Sequence, residues 1–273
     1  MKTALKGTLV LVGCGKMGSA LLQGWLAHGI DAASIVVMEP MPAPEVAALL
    51  LTHGVKLNPS ASAIKNAEVV VVAVKPQMME DVLPNLLPLM ASHPLVLSIA
   101  AGKTMATFEA ALGKTTSVIR TMPNTPAAIG RGITAMVGNQ NVLPAQMRLA
   151  EELLAATGEV VQVVNEAEID LVTAVSGSGP AYVFLLAETL AAAGEKAGLS
   201  KDLAIRLARA TVAGSGELMR QSGVDAATLR QNVTSPNGTT HAALQILMAA
   251  DGMQQLMNRA VAAAAQRSRD LTK

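Results

Sequence analysis

Leu9-Val10-Leu11-Val12 runs directly into Gly13-Cys14-Gly15-Lys16-Met17-Gly18, and Ala20-Leu21-Leu22 with Trp25-Leu26 follow at helical spacing. A short apolar run, then Gly-x-Gly-x-x-Gly, then a 3.6-residue period is the strand–turn–helix of a dinucleotide-binding unit. Each glycine has its own reason. Gly13 permits the tight turn, Gly15 lets backbone approach a pyrophosphate, and Gly18 lets helix and strand pack closely. Amides left unpaired at the start of the helix then face an anion. A glycine hexapeptide alone is a weak signal, and its place between strand and helix is what gives it weight. Cys14 inside the turn reads as a small filler and not as a nucleophile.

Outward from this turn the first half keeps a βαβ rhythm. Ser34 to Met38 reads as a second strand ending at Glu39-Pro40, a helix follows through Glu45 to Leu50, and Val55 to Leu57 is a third strand. Glu68 to Val74 is apolar throughout, as a strand buried on both faces of a parallel sheet must be. Lys75-Pro76-Gln77 opens a helix with proline in its first turn. Leu95 to Ile99 is the fifth strand, Thr104 caps the next helix, and Ser117 to Arg120 begins the sixth strand. Gly132 to Gly138 and Gly158 to Val164 add two more around a helix near Pro144 to Ala156. The pattern predicts a Rossmann-type doubly wound parallel sheet over residues 1–164. Ligands of such sheets sit beyond the carboxyl ends of the strands. Those ends are Gly13 to Gly18, Glu39, Ala73-Val74-Lys75-Pro76 and Ile99-Ala100-Ala101.

Residues 165–273 change character, because strand signals vanish. Helices are expected at Ile169 to Val175, Ala181 to Gly198, Lys201 to Gln221, Ala226 to Asn232, Thr240 to Ala250 and Gln254 to Asp270. Several are alanine-rich and apolar around much of their circumference, which suits a bundle or a subunit interface better than water. A dimer of interlocked helices is expected, with a self-contained bundle as the alternative. Two polar stretches are expected as loops between these helices: Ser176-Gly177-Ser178-Gly179-Pro180-Ala181-Tyr182 and Val233-Thr234-Ser235-Pro236-Asn237-Gly238-Thr239-Thr240. Each sets hydroxyls and amides before a helix, where an anion is favoured. Ser235 or Thr240 could be a helix cap, but a cap requires one hydroxyl and this stretch supplies four in seven residues, which favours ligand binding.

Composition sets the bounds. At 273 residues the chain suggests two domains. A net charge of +1 advertises no basic face for nucleic acid or membrane. Phe108, Phe184, Tyr182 and Trp25 are the only aromatics, so the core is aliphatic and base-stacking platforms are missing. One cysteine excludes an internal disulfide and points to a cytoplasmic, reducing setting. The N-terminal apolar run is too short for a signal peptide, and no uninterrupted apolar stretch of about 18 residues suggests a bilayer span. No His, Cys and Asp group has metal-ligand spacing, so no metal is expected. His28, His53 and His93 read as surface residues, and His241 lies beside the second polar stretch on its helix.

The motifs Gly13-Cys14-Gly15-Lys16-Met17-Gly18, AVKPQ at 73–77, SIAAG at 98–102, RTMPNTPA at 120–127, DLVTAVSGSGPAY at 170–182 and VTSPNGTTHAAL at 233–244 are together similar to pyrroline-5-carboxylate reductases nearly end to end. That resemblance implies a Rossmann domain followed by an all-α dimerisation domain, and NADP- or NAD-dependent reduction of L-1-pyrroline-5-carboxylate to L-proline. It implies that Val12, Gly13, Cys14, Gly15, Lys16, Met17, Gly18, Ala73, Val74, Lys75, Pro76, Ile99, Ala100, Ala101 and Asn232 meet the cofactor, and Glu39, at the end of the second strand, is a further candidate by its position. It further implies that Ser235, Gly238, Thr239 and Thr240 hold the substrate, helped by Glu166, with Thr240 and Ser235 nearest the chemistry. The implied partners are a small-molecule substrate and a second copy of the chain, in a homodimer that could assemble further.

Two positions depart from the family pattern. Asn237 stands where relatives usually have glycine, and asparagine tolerates positive φ better than other side chains. Glu39 stands where relatives often carry a small hydroxyl residue suited to a 2′-phosphate; its carboxylate either meets the adenosine ribose or turns to solvent. Two rival readings remain. A β-hydroxyacid dehydrogenase would need a lysine early in the second domain, whereas Lys196 is the only one between Glu166 and Ser200 and lies late. A cofactor-holding sensor would have no use for the intact SPNGTT stretch.

Overall fold

Val69, Val70, Val71 and Val72 have no solvent exposure at all, and they belong to the strand at the centre of the first half. The computed structural model describes residues 5–271. Within it the strands are β1 (Thr8–Val12), β2 (Ile35–Met38), β3 (Lys56–Leu57), β4 (Ala67–Val72), β5 (Leu95–Ser98), β6 (Ser117–Met122), β7 (Gly132–Gly138) and β8 (Gly158–Gln162). They form one sheet in the order β3-β2-β1-β4-β5-β6-β7-β8. The first six are mutually parallel, with Leu9, Val10, Leu11 and Val12 flanked by Ile35 to Met38 on one side and Val69 to Val72 on the other.

The expected all-parallel sheet needs one correction. β7 pairs antiparallel with β6, Arg120 facing Val137 and Met122 facing Ala135, and β8 then runs parallel to β7. A connection of only nine residues, Pro123 to Arg131, is too short for a parallel crossover, so the chain reverses. β4 also stops at Val72, two residues earlier than its apolar run suggests. The Ala73 amide still donates to the Val12 carbonyl, but Ala73 and Val74 have left the ladder and lie at its carboxyl end.

Two-residue periodicity divides the core into layers. Leu9, Leu11, Val69, Val71, Leu95 and Leu97 face α1 (Lys16–Ala27), with Leu21, Leu22 and Trp25 buried among them. Val10, Val12, Val70, Val72, Val96 and Val118 face the opposite layer, built from Met79, the 83–92 segment and Phe108. That layer includes α3 (Met79–Val82) and α4 (Met105–Leu112), while α2 (Pro44–His53) adds Val46 and Leu50 to the first. Lys75-Pro76 opens a 3₁₀ turn before α3, and Thr104 caps α4 as expected by accepting the Thr107 amide at 3.3 Å. Trp25, 1 % exposed, donates its indole N–H to the Leu153 carbonyl of α5 (Pro144–Leu154) at 2.8 Å, so its polar edge is satisfied in an apolar layer.

Helices fill the rest: α6 (Glu168–Val172), α7 (Gly179–Lys196), α8 (Lys201–Ser222), α9 (Ala226–Asn232), α10 (Thr239–Leu247) and α11 (Met253–Leu271). The stretch Ser176 to Tyr182 is not a loop. Thr173–Gly177 forms a π-helical turn, and Pro180 sits in the first turn of α7, where its missing N–H costs nothing. Gly177 faces the terminal methyl of Met122, 2.5 Å from where a Cβ would stand, a flexible end that could shift aside. The chain divides into two compact units, one running through Gly177 and regaining the chain from Ala265, the other Ser178–Ala264. Strands cease near the sequence boundary at 164/165, but α6 still packs with the sheet, burying Ile169 against Ala135 and Val137. Inside the helical unit α7 and α8 approach closely, and a Cβ on Gly194 would stand 3.4 Å from that of Ala204.

Candidate functional site

Lateral hydrogen bonds tie the carboxyl ends of the central strands into one ledge. Gly13 N–H donates to Met38 O at 2.8 Å, Ala73 N–H to Val12 O at 2.7 Å, and Ile99 N–H to Val72 O at 3.1 Å. Val12 to Gly18, Glu39, Ala73 to Pro76 and Ile99 to Ala101 therefore share one edge, as the sequence places them. Gly13 adopts φ +90°, and a Cβ there would meet the Ala73 carbonyl at 2.9 Å. A Cβ on Gly18 would run into the Gly13 carbonyl oxygen, so helix and turn touch backbone to backbone.

Gly15 is the opposite case. Nothing lies within 4 Å of where its Cβ would be, and both Gly15 and Lys16 are exposed. Gly15 is also the N-cap of α1 and offers no side chain to its first amides. No side chain caps those amides, and a positive helix terminus lies behind them, the cradle a pyrophosphate requires. The residues present thus fit a dinucleotide. Cys14 is 2 % exposed; burial and the nearby Glu39 charge raise its thiol to about 11. It stays a protonated filler at neutral pH, as its position suggested.

Glu39 does not point to solvent. Its Oε2 accepts the Cys14 amide at 2.8 Å and its Oε1 accepts the Met41 amide at 3.2 Å. Asn58 pins its backbone from both sides, accepting from Glu39 N at 2.8 Å and donating to Glu39 O at 2.8 Å. Asn58 is a residue the sequence reading missed; the Asn-Pro pair at 58–59 just past β3 was the available signal.

Glu166 belongs to the same unit. Its Oε1 accepts the Met105 amide at 2.7 Å and Arg120 Nη1 at 3.1 Å. Arg120 is 2 % exposed within β6, and its Nη2 lies 3.8 Å from Asp170 Oδ1, which also accepts from Ser268 Oγ at 2.6 Å. A guanidinium buried this deeply requires such opposing charge. Sequence reading passed over Arg120, although a cation inside a β-branched strand always calls for a partner. Nearby, Asn124 Nδ2 donates to Ser176 Oγ at 3.2 Å, which gives the SGSGP stretch a polar contact without making it a loop.

Asn232, Ser235, Gly238, Thr239 and Thr240 lie in the other compact unit. Asn232 ends α9, and the chain turns sharply through Ser235 to Gly238, the Gly238 amide donating to Ser235 O at 3.0 Å. Asn237 takes φ +59°, the left-handed conformation its identity permits. The N-cap of α10 is Gly238, and no side chain caps it. Neither Ser235 nor Thr240 is therefore the N-cap: Thr239 and Thr240 are the first helical residues, with their amides at the positive end of α10. A hydroxyl-bearing, uncapped helix start can take a carboxylate. His241 is engaged by Gln245 on its own helix at 3.0 Å.

The helical unit leaves large apolar side chains uncovered. Phe184 is 67 % exposed and Ile246 75 %, and Leu185, Leu186, Leu190, Leu207 and Met248 are exposed as well. The helical run Glu168–Lys196 is also long and apolar enough to cross a bilayer, by length and composition alone. The comparisons give this surface another meaning. Residues 166–271 match the family described as pyrroline-5-carboxylate reductase dimerisation, and residues 8–102 match that described as NADP oxidoreductase, coenzyme F420-dependent. A pyrroline-5-carboxylate reductase of Pseudomonas aeruginosa is 42 % identical over 265 residues, 96 % of each chain. One from Mycobacterium tuberculosis is 40 % identical over 286 residues, again 96 % of each. Among solved structures, a pyrroline-5-carboxylate reductase from Coxiella burnetii superposes with a TM-score of 0.91 at 34 % identity, covering 98 % of this chain and 100 % of that one. The Plasmodium falciparum pyrroline carboxylate reductase with NADP bound gives 0.82 at 30 %, covering 98 % and 99 %.

Proposed function

Because the chain belongs to the pyrroline-5-carboxylate reductase family, and so reduces L-1-pyrroline-5-carboxylate to L-proline with NAD(P)H in the last step of proline biosynthesis, we propose how its residues divide that work. The uncapped cradle at Gly13 to Gly18 carries the reading: it holds the pyrophosphate through backbone amides, with Val12, Ala73 to Pro76 and Ile99 to Ala101 walling the dinucleotide and Asn232 adding a contact. Glu39 meets the adenosine ribose. When bound, the nicotinamide supplies a hydride equivalent to the C=N carbon of the cyclic imine.

Ser235, Gly238, Thr239 and Thr240 hold the substrate, its carboxylate against the amides that open α10. Thr240 hydrogen-bonds the ring nitrogen and orients the ring as that nitrogen becomes an amine. Its hydroxyl is too weak an acid to be the final proton source, so it positions or relays from water. Glu166 supports the site from its anchorage on Arg120 and the Met105 amide. The working form is a homodimer built through residues 166–271. We place it in the cytoplasm, without membrane or nucleic-acid partners, in keeping with a single buried cysteine and near-neutral charge.

The absorbance of the nicotinamide band during turnover of pyrroline-5-carboxylate tests these roles. Thr240→Ala is expected to lower kcat/KM by about 10–100-fold, one lost polar contact of roughly 1.5–3 kcal/mol, with dinucleotide affinity unchanged. Thr240→Ser keeps the hydroxyl and most of the activity. Full activity of Thr240→Ala at subsaturating substrate would leave Thr240 a structural residue and pass its role to Ser235.

A further inference from the structure

We propose that Glu39 makes this enzyme prefer NADH to NADPH, its carboxylate accepting the adenosine ribose diol and repelling a 2′-phosphate; this rests on the dinucleotide site described above. Position alone would not carry the proposal, since an exposed glutamate can swing away. Here four hydrogen bonds hold the residue. Cys14 N–H and Met41 N–H fix the two carboxylate oxygens, and Asn58 fixes the backbone on either side. The negative charge is thereby parked against the second residue of the glycine turn, at the end of β2, where the ribose of a dinucleotide lies.

The segment after Glu39 offers a phosphate no cationic side chain, and the uncapped amides that open α2 have the Glu45 carboxylate beside them. A 2′-phosphate in this position is ordinarily met by a cation or by free amides. From Glu39 to Val55 there is no lysine or arginine, and Glu45 adds a second carboxylate in the first turn of α2. Pro40-Met41-Pro42-Ala43-Pro44 has three residues without an N–H, and Met41 has already given its own to Glu39. That leaves the Ala43 amide alone in the stretch. The prolines also stiffen the backbone, so the loop is poorly able to rearrange around a bulkier group. A ribose diol, by contrast, needs only an acceptor for its two hydroxyls, and Glu39 supplies one.

The test is equilibrium binding of NADH and of NADPH to the intact dimer, followed by calorimetry, for the parent chain, Glu39→Gln and Glu39→Ser. Thermal melts of each verify folding, and Glu39→Gln keeps an acceptor for the Cys14 amide. The parent is expected to bind NADH about 10–100-fold more tightly, as one partly solvated like-charge contact implies. Glu39→Gln is expected to close most of that gap by tightening NADPH, and Glu39→Ser to close or reverse it. Raising salt should narrow the parent's gap and leave that of Glu39→Gln unmoved. Equal affinities in the parent would overturn the proposal. So would a gap that persists in both variants, or an equal weakening of both dinucleotides, which would make Glu39 a brace for the glycine turn. Failure of either dinucleotide to bind the parent would overturn the site itself, and the preference with it.

Discussion

Val69 to Val72 and Leu95 to Leu97 are buried to the last side chain, whereas α7 buries none of its 18 residues and α8 buries only Ala204 and Ala208. Both regions are rich in aliphatic residues. They differ in where the partner for each apolar face comes from. The sheet finds its partners within the same chain, as α1 and α5 cover one face while α4 and the 83–92 segment cover the other. The helical unit lacks that cover, and residues 166–271 match a dimerisation family. The sheet's core is complete in one copy, and that of the helices is completed by a second.

Attacking the helical surface should have the largest effect. Phe184→Glu combined with Leu186→Glu places charge at two exposed apolar positions of α7. Burying one such side chain contributes roughly 1.5–3 kcal/mol, and a two-fold interface counts each of the two substitutions twice, so the dimer should weaken by about 10⁴-fold or more. Analytical ultracentrifugation would show monomers, and activity should fall with the dimer. An unaltered dimer would mean that α7 faces elsewhere. Trp25→Ala sharpens the contrast from the other side. It empties a sealed layer and leaves the Leu153 carbonyl unpaired, at about 3–5 kcal/mol of stability, read as a lowered unfolding midpoint with the dimer intact.

What the sequence reveals follows the same division. Strands buried on both faces advertise themselves as unbroken apolar runs, and the glycine turn follows from sterics that act within a few residues, so β1 to β6 and the ledge were legible. The reversal at β7 was not, because strand direction depends on how the chain connects and not on side-chain pattern. Ser176 to Pro180 misled for a different reason. Gly177 and Pro180 look like loop residues, but one closes a π-helical turn and the other fits the opening turn of α7. Glu39 was legible as a residue at a strand end. Its carboxylate is turned by the Cys14 amide, twenty-five residues away, and its backbone is held by Asn58, nineteen residues away, contacts that no local pattern encodes.

The claim that the helical unit is completed only by its second copy is tested most directly by hydrogen exchange on the parent dimer and on the Phe184→Glu, Leu186→Glu chain. Amides of α7 and α8 should lose protection on dissociation, while those of β1, β4 and β5 keep theirs. Equal protection of α7 and α8 in monomer and dimer would contradict it.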